Sequence, residues 1–360
     1  MDQLCAFDRN RRTVGIWLLV LAAMVLVMVV LGGATRLTGS GLSMVEWQPL
    51  NMLPPMNQAD WADMFAKYQQ SPQFKLVNDT MTLEGFKGIF WLEFIHRLWG
   101  RVLGFAFLIP FLGFIYTKRI TKAEIPAFAL LFVLGGAQGV LGWAMVASGL
   151  VDRPEVSHYR LAAHLTAALA LYAALLWTGF ARVAPPAKVD FGGKSYRTLR
   201  RHLPMLLGLL WLTIPAGALV AGLHAGLIYN TFPLMDEGLI AHDAFEMTPT
   251  WLNFFANPPM VQFDHRVLAI LTWLMAMSLL PAVFRTDLPS TLRWKVALVP
   301  LLACVQLGLG ITTLLLIVPI PLAVIHQFTA FLLFGAATWS YVETRRCLQP
   351  ERLSPTAPEA

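Results

Sequence analysis

Eight apolar runs constrain the fold of this chain more than any other feature. Each is about twenty residues long, the length that spans the hydrocarbon core of a bilayer as an α-helix. The runs cover roughly residues 14–35, 89–116, 125–148, 159–181, 204–228, 260–284, 294–318 and 322–342. Charged residues make up only 13% of the 360 residues, against about a quarter in soluble domains. We therefore expect an all-α, polytopic membrane protein with eight transmembrane helices.

Basic residues are concentrated in the two terminal segments and in alternate connections between these runs. They lie before the first run, between runs two and three, four and five, and six and seven, and after the last. If the runs alternate in direction, all these groups lie on one face of the membrane, which the positive-inside rule makes cytoplasmic. Both termini are then expected in the cytoplasm. Topology thus explains the net charge of +6, and we expect no nucleic-acid partner.

The chain also carries a weak internal repeat. The segment Phe94-Ile-His-Arg97 matches Phe263-Asp-His-Arg266, and Gln138-x-x-x-Gly142 matches Gln306-x-x-x-Gly310. Because four runs separate the matching segments, both copies have the same orientation, as in a parallel repeat. We predict two pseudo-symmetric four-helix bundles. The predicted units are residues 1–185 and 204–347, joined by a cytoplasmic linker, 186–203, and followed by a cytoplasmic tail, 348–360.

Four histidines occupy matching places in the even-numbered runs. Each lies within about two turns of the outer end of its run, so all four are expected at one depth near the outer face. A single histidine there would be interpreted as an interfacial, hydrogen-bonded residue, but imidazoles on facing helices are typical axial ligands of haem. Zinc fits less well, because cysteine or carboxylate companions at ligand spacing are missing. The sequence favours two haem sites, held by His96 with His164 and by His265 with His326.

The remaining histidines do not fit this pattern. One lies at the membrane interface six residues before His164, and so points to a different face of its helix. Another ends run five and has no equivalent in the first half, and the last two lie in the basic linker and in an outer loop. We interpret them as structural: His158, His202, His224 and His242.

Arginines accompany the paired histidines. An arginine inside a membrane needs an anionic partner, and haem propionates would supply one through paired charge-assisted hydrogen bonds. Snorkelling of the side chain to the lipid headgroups is the alternative, and it competes most strongly for Arg160. The candidates for propionate pairing are Arg36, Arg97, Arg160 and Arg266.

Glu93 distinguishes the two halves. It precedes His96 by three positions and so shares its helix face, whereas the matching position before His265 is Gln262. A carboxylate inside the membrane is costly unless it is paired or functional, so Glu93 is the candidate catalytic residue. The alternative is an ion pair with Arg97 or Arg36. If Glu93 is catalytic, Glu93→Gln should leave both haems bound and block the reaction; if it is a structural partner, folded protein should fall as well.

Two long outer segments, 37–88 and 229–259, are rich in aromatic residues. They are expected either to cap sites that open on this face or to anchor the chain at the interface.

These residues resemble a known family. Glu93-Phe-Ile-His-Arg-Leu-Trp-Gly-Arg101 is similar to the E-x-x-H-R helix of haem A synthase, a membrane enzyme that completes haem A for cytochrome oxidase. Residues 32–43, 54–75, 229–235, 260–266 and 312–327 are similar to it as well. The pattern is that of the subgroup found in mitochondria and their bacterial relatives. Another subgroup has a cysteine pair in the first outer loop, which this chain lacks, since its cysteines are Cys5, Cys304 and Cys347.

The resemblance implies an oxidoreductase that converts the C8 methyl group of haem O to a formyl group. Two water-derived hydroxylations would give a geminal diol that loses water. His96 and His164 would bind the substrate haem O, His265 and His326 would ligate a haem b cofactor, and Glu93 would accept protons or stabilise positive charge near the methyl group. A bacterial inner membrane, a haem O synthase as donor, an unidentified electron acceptor and a possible homo-oligomer are the associated expectations.

A di-haem b-type electron-transfer subunit is the competing function. Such carriers usually place their haems near opposite membrane faces, whereas all four histidines here are expected near one face, and a symmetric relay has no use for the unmatched Glu93. A transporter with a parallel repeat fits less well, because no pair of broken helices is evident.

Overall fold

The computed structural model describes residues 2–46, 53–150, 156–183, 193–285 and 287–346, with side chains from residue 9 onward. In chain order the α-helices are α1 (Asp2–Leu37), α2 (Gln58–Gln69), α3 (Pro72–Leu76), α4 (Leu83–Tyr116), α5 (Ile125–Ser148), α6 (His158–Val183), α7 (Lys194–Gly222), α8 (Asn253–Ala256), α9 (Pro258–Met277), α10 (Leu280–Phe284), α11 (Ser290–Leu315) and α12 (Ile320–Arg346). The predicted tail 348–360 and residues 186–192 of the predicted linker lie outside the described residues.

Eight segments of the described chain are helical, long and apolar enough to cross a membrane. This confirms the predicted class and the predicted number of spans. The sixth segment is α9 followed by α10, with a break at Ser278 and Leu279. Pro281 lies in the first turn of α10; it has no N–H to donate to the carbonyl of Met277 four residues earlier, and its ring clashes with that carbonyl, so a continuous helix is interrupted there.

Some helices extend beyond their apolar runs. α7 begins at Lys194 rather than at 204, so the last ten residues of the predicted linker are helical. Tyr196, Leu199 and Leu203 are buried along one side of this extension, while the arginines between them are exposed. The extension is therefore amphipathic, and its burial pattern rather than its mean hydropathy stabilises it. α4 likewise starts early, at Leu83, where Thr82 caps the helix by accepting a hydrogen bond from the Gly85 N–H.

The first four spanning helices form a ring of neighbours: α1 packs on α4, α4 on α5, α5 on α6, and α6 on α1. The last four make the corresponding set, α7 with α9, α9 with α11, α11 with α12, and α12 with α7. The two rings meet where α1 packs on α12, α6 on α7, and α6 on α12. The main buried core lies along these helices and includes Leu18, Leu21, Leu169, Leu175, Leu199, Leu203, Leu206 and Phe331.

Both long loops pack on the ends of spanning helices. Between α1 and α4, the aromatic side chains of Trp61 and Tyr68 form a buried cluster with Phe86, Phe90 and Phe94 of α4. Between α7 and α9, a smaller cluster joins loop residues to Met260 of α9. Each loop is thus fixed to the helix that carries the first histidine of its half, His96 or His265.

Candidate functional site

The four candidate histidines come from four different helices. His96 lies on α4, His164 on α6, His265 on α9 and His326 on α12. The imidazoles of His96 and His164 are close enough to interact electrostatically, and so are those of His265 and His326. The structure thus brings together the two pairs expected from the repeat.

Their depth can be measured against the neighbouring helices. Each ring packs against a glycine: Gly32 of α1 for His96, Gly142 of α5 for His164, Gly217 of α7 for His265, and Gly310 of α11 for His326. These glycines precede the last residues of their helices by five, six, five and five positions, since the helices end at Leu37, Ser148, Gly222 and Leu315. Each imidazole therefore lies between one and two turns from the end of the helix that it packs on, as a common depth would require. His96 is nevertheless about three and a half turns into α4, more than the two turns expected, because α4 extends into the outer loop.

The ring nitrogens are only partly satisfied by protein. His265 Nδ1 lies 3.2 Å from the carbonyl oxygen of Thr213, and His326 Nε2 lies 3.4 Å from the amide nitrogen of Gln306. His164 Nδ1 and His326 Nδ1 are buried and make no hydrogen bond within the described residues. Buried polar atoms are normally paired, so each pair has imidazole capacity available for a ligand.

The type of ligand follows from the donor set. Among the described residues, no three His, Cys, Asp or Glu side chains converge as a metal-ion site would require. Two imidazoles from different helices, with an arginine on the same helix as His96, His164 and His265, instead fit the axial ligation and propionate pairing of a haem. The residues present therefore fit one haem in each half.

Glu93 is buried in a network that ties the first outer loop to α4. Its Oε2 accepts hydrogen bonds from the Ser43 hydroxyl and the Met44 N–H, both at 2.7 Å, and its Oε1 accepts one from Arg97. Arg97 also donates to the carbonyl oxygens of Met44, at 3.0 Å, and Glu46, at 3.3 Å. Of the two ion pairs considered for Glu93, the one with Arg97 is present.

Gln262 holds the second outer loop in the corresponding way. Its Oε1 accepts a hydrogen bond from Arg266 at 2.9 Å, and its amide nitrogen donates to the carbonyls of Ala225 and Ile228, both at 2.7 Å. Arg266 also donates to the Tyr229 carbonyl at 2.7 Å, while its Nε is buried without a hydrogen bond in the described part of the chain. Both halves thus use a residue and an arginine one turn apart, but only the first half has an acid.

The other two arginines reach neighbouring helices rather than loops. Arg36 donates to the carbonyl of Ala221 at 3.0 Å and lies 3.1 Å from His224 Nε2, so it joins the end of α1 to the end of α7. Arg160 donates to the carbonyl of Ala144 at 2.5 Å and joins α6 to α5. Their role towards a propionate stays a prediction.

Two of the histidines interpreted as structural contact neighbouring helices, and their structural role stays a prediction. The His158 backbone and Cβ pack against Gly222 at the end of α7, and His202 Nδ1 lies 2.7 Å from the Ser278 hydroxyl at the helix break. His242 is exposed in the outer loop.

Sequence reasoning missed the partners contributed by backbone and small residues. The Met44 N–H and the Thr213 carbonyl have no side-chain signature. The glycines beside His164 and His326 were visible in the repeat Gln-x-x-x-Gly, but only the structure shows that an imidazole packs on each.

Comparisons with known proteins identify the family of this chain. The COX15-CtaA family model, described as cytochrome oxidase assembly protein, matches residues 15–338. A protein named Heme A synthase from Nitrosospira multiformis is 47% identical over 341 residues, which cover 93% of this chain and 94% of that protein. One of the same name from Granulibacter bethesdensis is 49% identical over 334 residues, covering 92% and 87%. Heme A synthase COX15 from Bos taurus is 46% identical over 344 residues, covering 93% and 83%. The chain therefore belongs to the COX15-CtaA family of cytochrome oxidase assembly proteins, the family expected from its motifs.

Proposed function

We propose that this protein is a haem A synthase, an oxidoreductase that converts haem O to haem A. The observation that carries the proposal is the presence of two partly buried histidine pairs, one in each ring of helices, with each imidazole packed on a glycine near the end of a neighbouring helix. Proteins named Heme A synthase align with nine-tenths of the chain, including both pairs.

The two pairs have different roles in this proposal. His96 and His164 bind the substrate haem O, and His265 and His326 ligate a haem b cofactor. The difference between Glu93 and Gln262 supports this assignment, because chemistry that releases protons and builds up positive charge needs the acid at one site only. A methyl group at Gly217 would lie 2.9 Å from the His265 imidazole and one at Gly310 would lie 2.8 Å from the His326 imidazole, against 3.4 Å for the corresponding contacts of the first pair. This tighter packing suits a cofactor that stays bound.

The reaction must balance atoms and electrons. Converting a methyl group to a formyl group with one oxygen atom retained from water removes four electrons and four protons. Two successive hydroxylations with oxygen from water would give the geminal diol, which loses one water. A bound haem b would pass these electrons, one at a time, from the substrate site to an acceptor.

The protein's own residues hold the substrate and balance charge. Arg36, Arg97, Arg160 and Arg266 would pair with the haem propionates, and each of them donates to a backbone carbonyl of a loop or of a neighbouring helix. Both oxygens of the Glu93 carboxylate are engaged by Ser43, Met44 and Arg97. Glu93 therefore acts mainly by its negative charge, which stabilises positive charge developing at the methyl carbon.

The cellular setting is part of the proposal. The grouping of basic residues supports an orientation with both termini in the cytoplasm and the haem sites towards the outer side. The similarity to bacterial proteins supports a bacterial inner membrane as the location. A haem O synthase is the expected donor, the electron acceptor is unidentified, and a homo-oligomer is possible. We also propose that the chain consists of two pseudo-symmetric halves, which the matching rings of helix contacts support. The chain is further proposed to belong to the subgroup without the cysteine pair in the first outer loop.

Extraction and mass analysis of the bound haem tests the proposal. Protein purified from membranes that also contain haem O synthase should yield haem b together with haem O, its hydroxylated form or haem A. Haem b alone, in two equal copies per chain, would indicate the competing electron-transfer subunit instead.

A further inference from the structure

Each candidate ligand histidine is seated against a glycine of the preceding spanning helix. A methyl group at Gly32 would lie 3.4 Å from His96 Nε2, and one at Gly142 would lie 3.4 Å from His164 Cε1. In the second half the approach is closer: 2.9 Å from Gly217 to His265 Cε1, and 2.8 Å from Gly310 to His326 Cε1. The first two contacts are tight, and the last two are shorter than any side chain could tolerate without movement.

Gly217 also uncovers a backbone carbonyl. In an α-helix the Cβ points towards the N-terminus, so a side chain covers the turn before its own position. With no side chain at Gly217, the carbonyl of Thr213, four residues earlier, lies 3.2 Å from His265 Nδ1. A hydrogen bond from Nδ1–H to a carbonyl leaves Nε2 with the lone pair needed for iron. Beside Gly310 the contact differs: His326 Nε2 lies 3.4 Å from the amide nitrogen of Gln306, and His326 Nδ1 makes no hydrogen bond within the described residues.

Other glycines on the same helices have no such neighbours. A methyl group at Gly139 of α5, Gly208 of α7 or Gly308 of α11 would meet nothing within 4 Å. Glycine inside a helix costs up to about 1 kcal/mol relative to alanine. The glycines beside the histidines thus make a specific contact with an imidazole, and the other glycines named on the same helices do not.

We infer that Gly32, Gly142, Gly217 and Gly310 are positioning residues that set the orientation of the four imidazoles. The inference rests on the proposed function, and it adds a difference between the sites. The tighter pair, Gly217 and Gly310, holds the haem b ligands in one orientation, whereas the looser pair, Gly32 and Gly142, lets the substrate ligands move as haem O enters and haem A leaves.

Alanine substitutions with matched controls on the same helix test the inference. Gly310→Ala is compared with Gly308→Ala, Gly217→Ala with Gly208→Ala, and Gly142→Ala with Gly139→Ala, all in the full-length protein. Haem b per polypeptide, the low-spin electron paramagnetic resonance g values and the reduction potential are measured. Gly310→Ala and Gly217→Ala should weaken haem b binding by about tenfold or more, as the loss of groups that orient a ligand does. Both substitutions should also shift the g values and the reduction potential. Gly142→Ala should leave haem b unchanged and reduce bound haem O.

Haem b content and spectra in Gly310→Ala and Gly217→Ala equal to those of their controls would overturn the inference. That result would leave the proposed function intact, because the unsubstituted protein would still carry haem b and haem O. A protein that binds no haem at all would instead contradict the proposed function.

A double substitution distinguishes a folding defect of Gly310→Ala from a misplaced His326 imidazole. In His326→Ala protein the ring that the new methyl group meets is gone. Adding Gly310→Ala should then cost no further folded protein, measured by size-exclusion chromatography and thermal unfolding. An equal loss with and without the imidazole would show that Gly310 serves helix packing alone and would contradict the inference.

Discussion

Glu93 and Gln262 each bind an arginine one helical turn away, but they face loops of opposite hydrogen-bonding polarity. The loop at Glu93 presents donors, the Ser43 hydroxyl and the Met44 N–H. The loop at Gln262 presents two backbone carbonyls, which accept from the amide. The acid and the amide are thus each matched to a loop and cannot be exchanged without cost.

Glu93→Gln is therefore expected to destabilise the protein. An amide has one acceptor oxygen, so it cannot satisfy Ser43, Met44 and Arg97 together. A buried donor left unsatisfied costs about 1–3 kcal/mol, and Arg97 also loses the charge of its partner. The thermal unfolding midpoint in detergent should fall for Glu93→Gln and also for Gln262→Glu, which places a carboxylate against two carbonyl oxygens.

The role of Glu93 in the reaction is separated from its structural role by haem A yield per folded molecule. Ser43→Ala is the control, because it removes one donor to the same carboxylate and keeps the charge. We expect normal yield per folded molecule for Ser43→Ala and almost none for Glu93→Gln. Equal yields for the two variants would leave Glu93 with a structural role only.

Replacing the histidines one at a time should separate the two haem sites. His265→Ala and His326→Ala are expected to lose haem b, because each removes one of two axial ligands. His96→Ala and His164→Ala should retain haem b and lose haem O. Haem extraction with mass analysis measures both, and loss of the same haem from all four variants would contradict the assignment of pairs.

The sequence predicted the membrane architecture well because length and apolarity decide it. A run of twenty apolar residues has few alternatives to a spanning helix, and all eight runs are helices. The ends were predicted less well: α7 begins ten residues early because its extension is amphipathic rather than apolar. Such an extension is stabilised by tertiary packing of Tyr196 and Leu199, which hydropathy alone does not report.

The site was predicted in its side chains and missed in its backbone contacts. Local spacing made Arg97 one candidate partner of Glu93, since residues four apart on a helix are neighbours. It could not exclude Arg36, because only the packing of the helices shows that Arg36 contacts Ala221 and His224 at the end of α7. Loop carbonyls and helix glycines become partners only once the helices are packed.

Arg266→Lys should loosen the second outer loop. Arg266 spans the Gln262 side chain and the carbonyls of Tyr229 and Leu234, and a single ammonium group cannot reproduce that fork of donors. Arg160→Lys is the matched control, since within the described residues Arg160 donates to one carbonyl, that of Ala144. Hydrogen exchange of residues 229–259 should become faster in Arg266→Lys and stay unchanged in Arg160→Lys. Unchanged exchange in both would show that this arginine does not hold the loop.

Acid should weaken a contact at the opposite ends of the helices, where Glu124 pairs with Arg182. Burial raises the pKa of Glu124, but hydrogen bonds from Thr121 and Arg182 outweigh it and hold the pKa below its usual value of 4.5. Because the pKa is lower in the folded state, the stabilisation is present above the unfolded value and is lost as pH falls through the folded value.

Glu124→Gln tests this dependence. The Glu124 side chain is 32% exposed, so the pair contributes no more than about 1 kcal/mol. At pH 7 the variant should unfold at a slightly lower temperature than the unsubstituted protein, and the gap should close as pH falls from 4.5 through the lower pKa of the folded state. Glu84→Gln, which removes the same charge from an exposed side chain, corrects for the change in net charge. A gap that widens towards acid would contradict the lowered pKa, because it would mean that the neutral carboxyl, not the carboxylate, is the form that the fold stabilises.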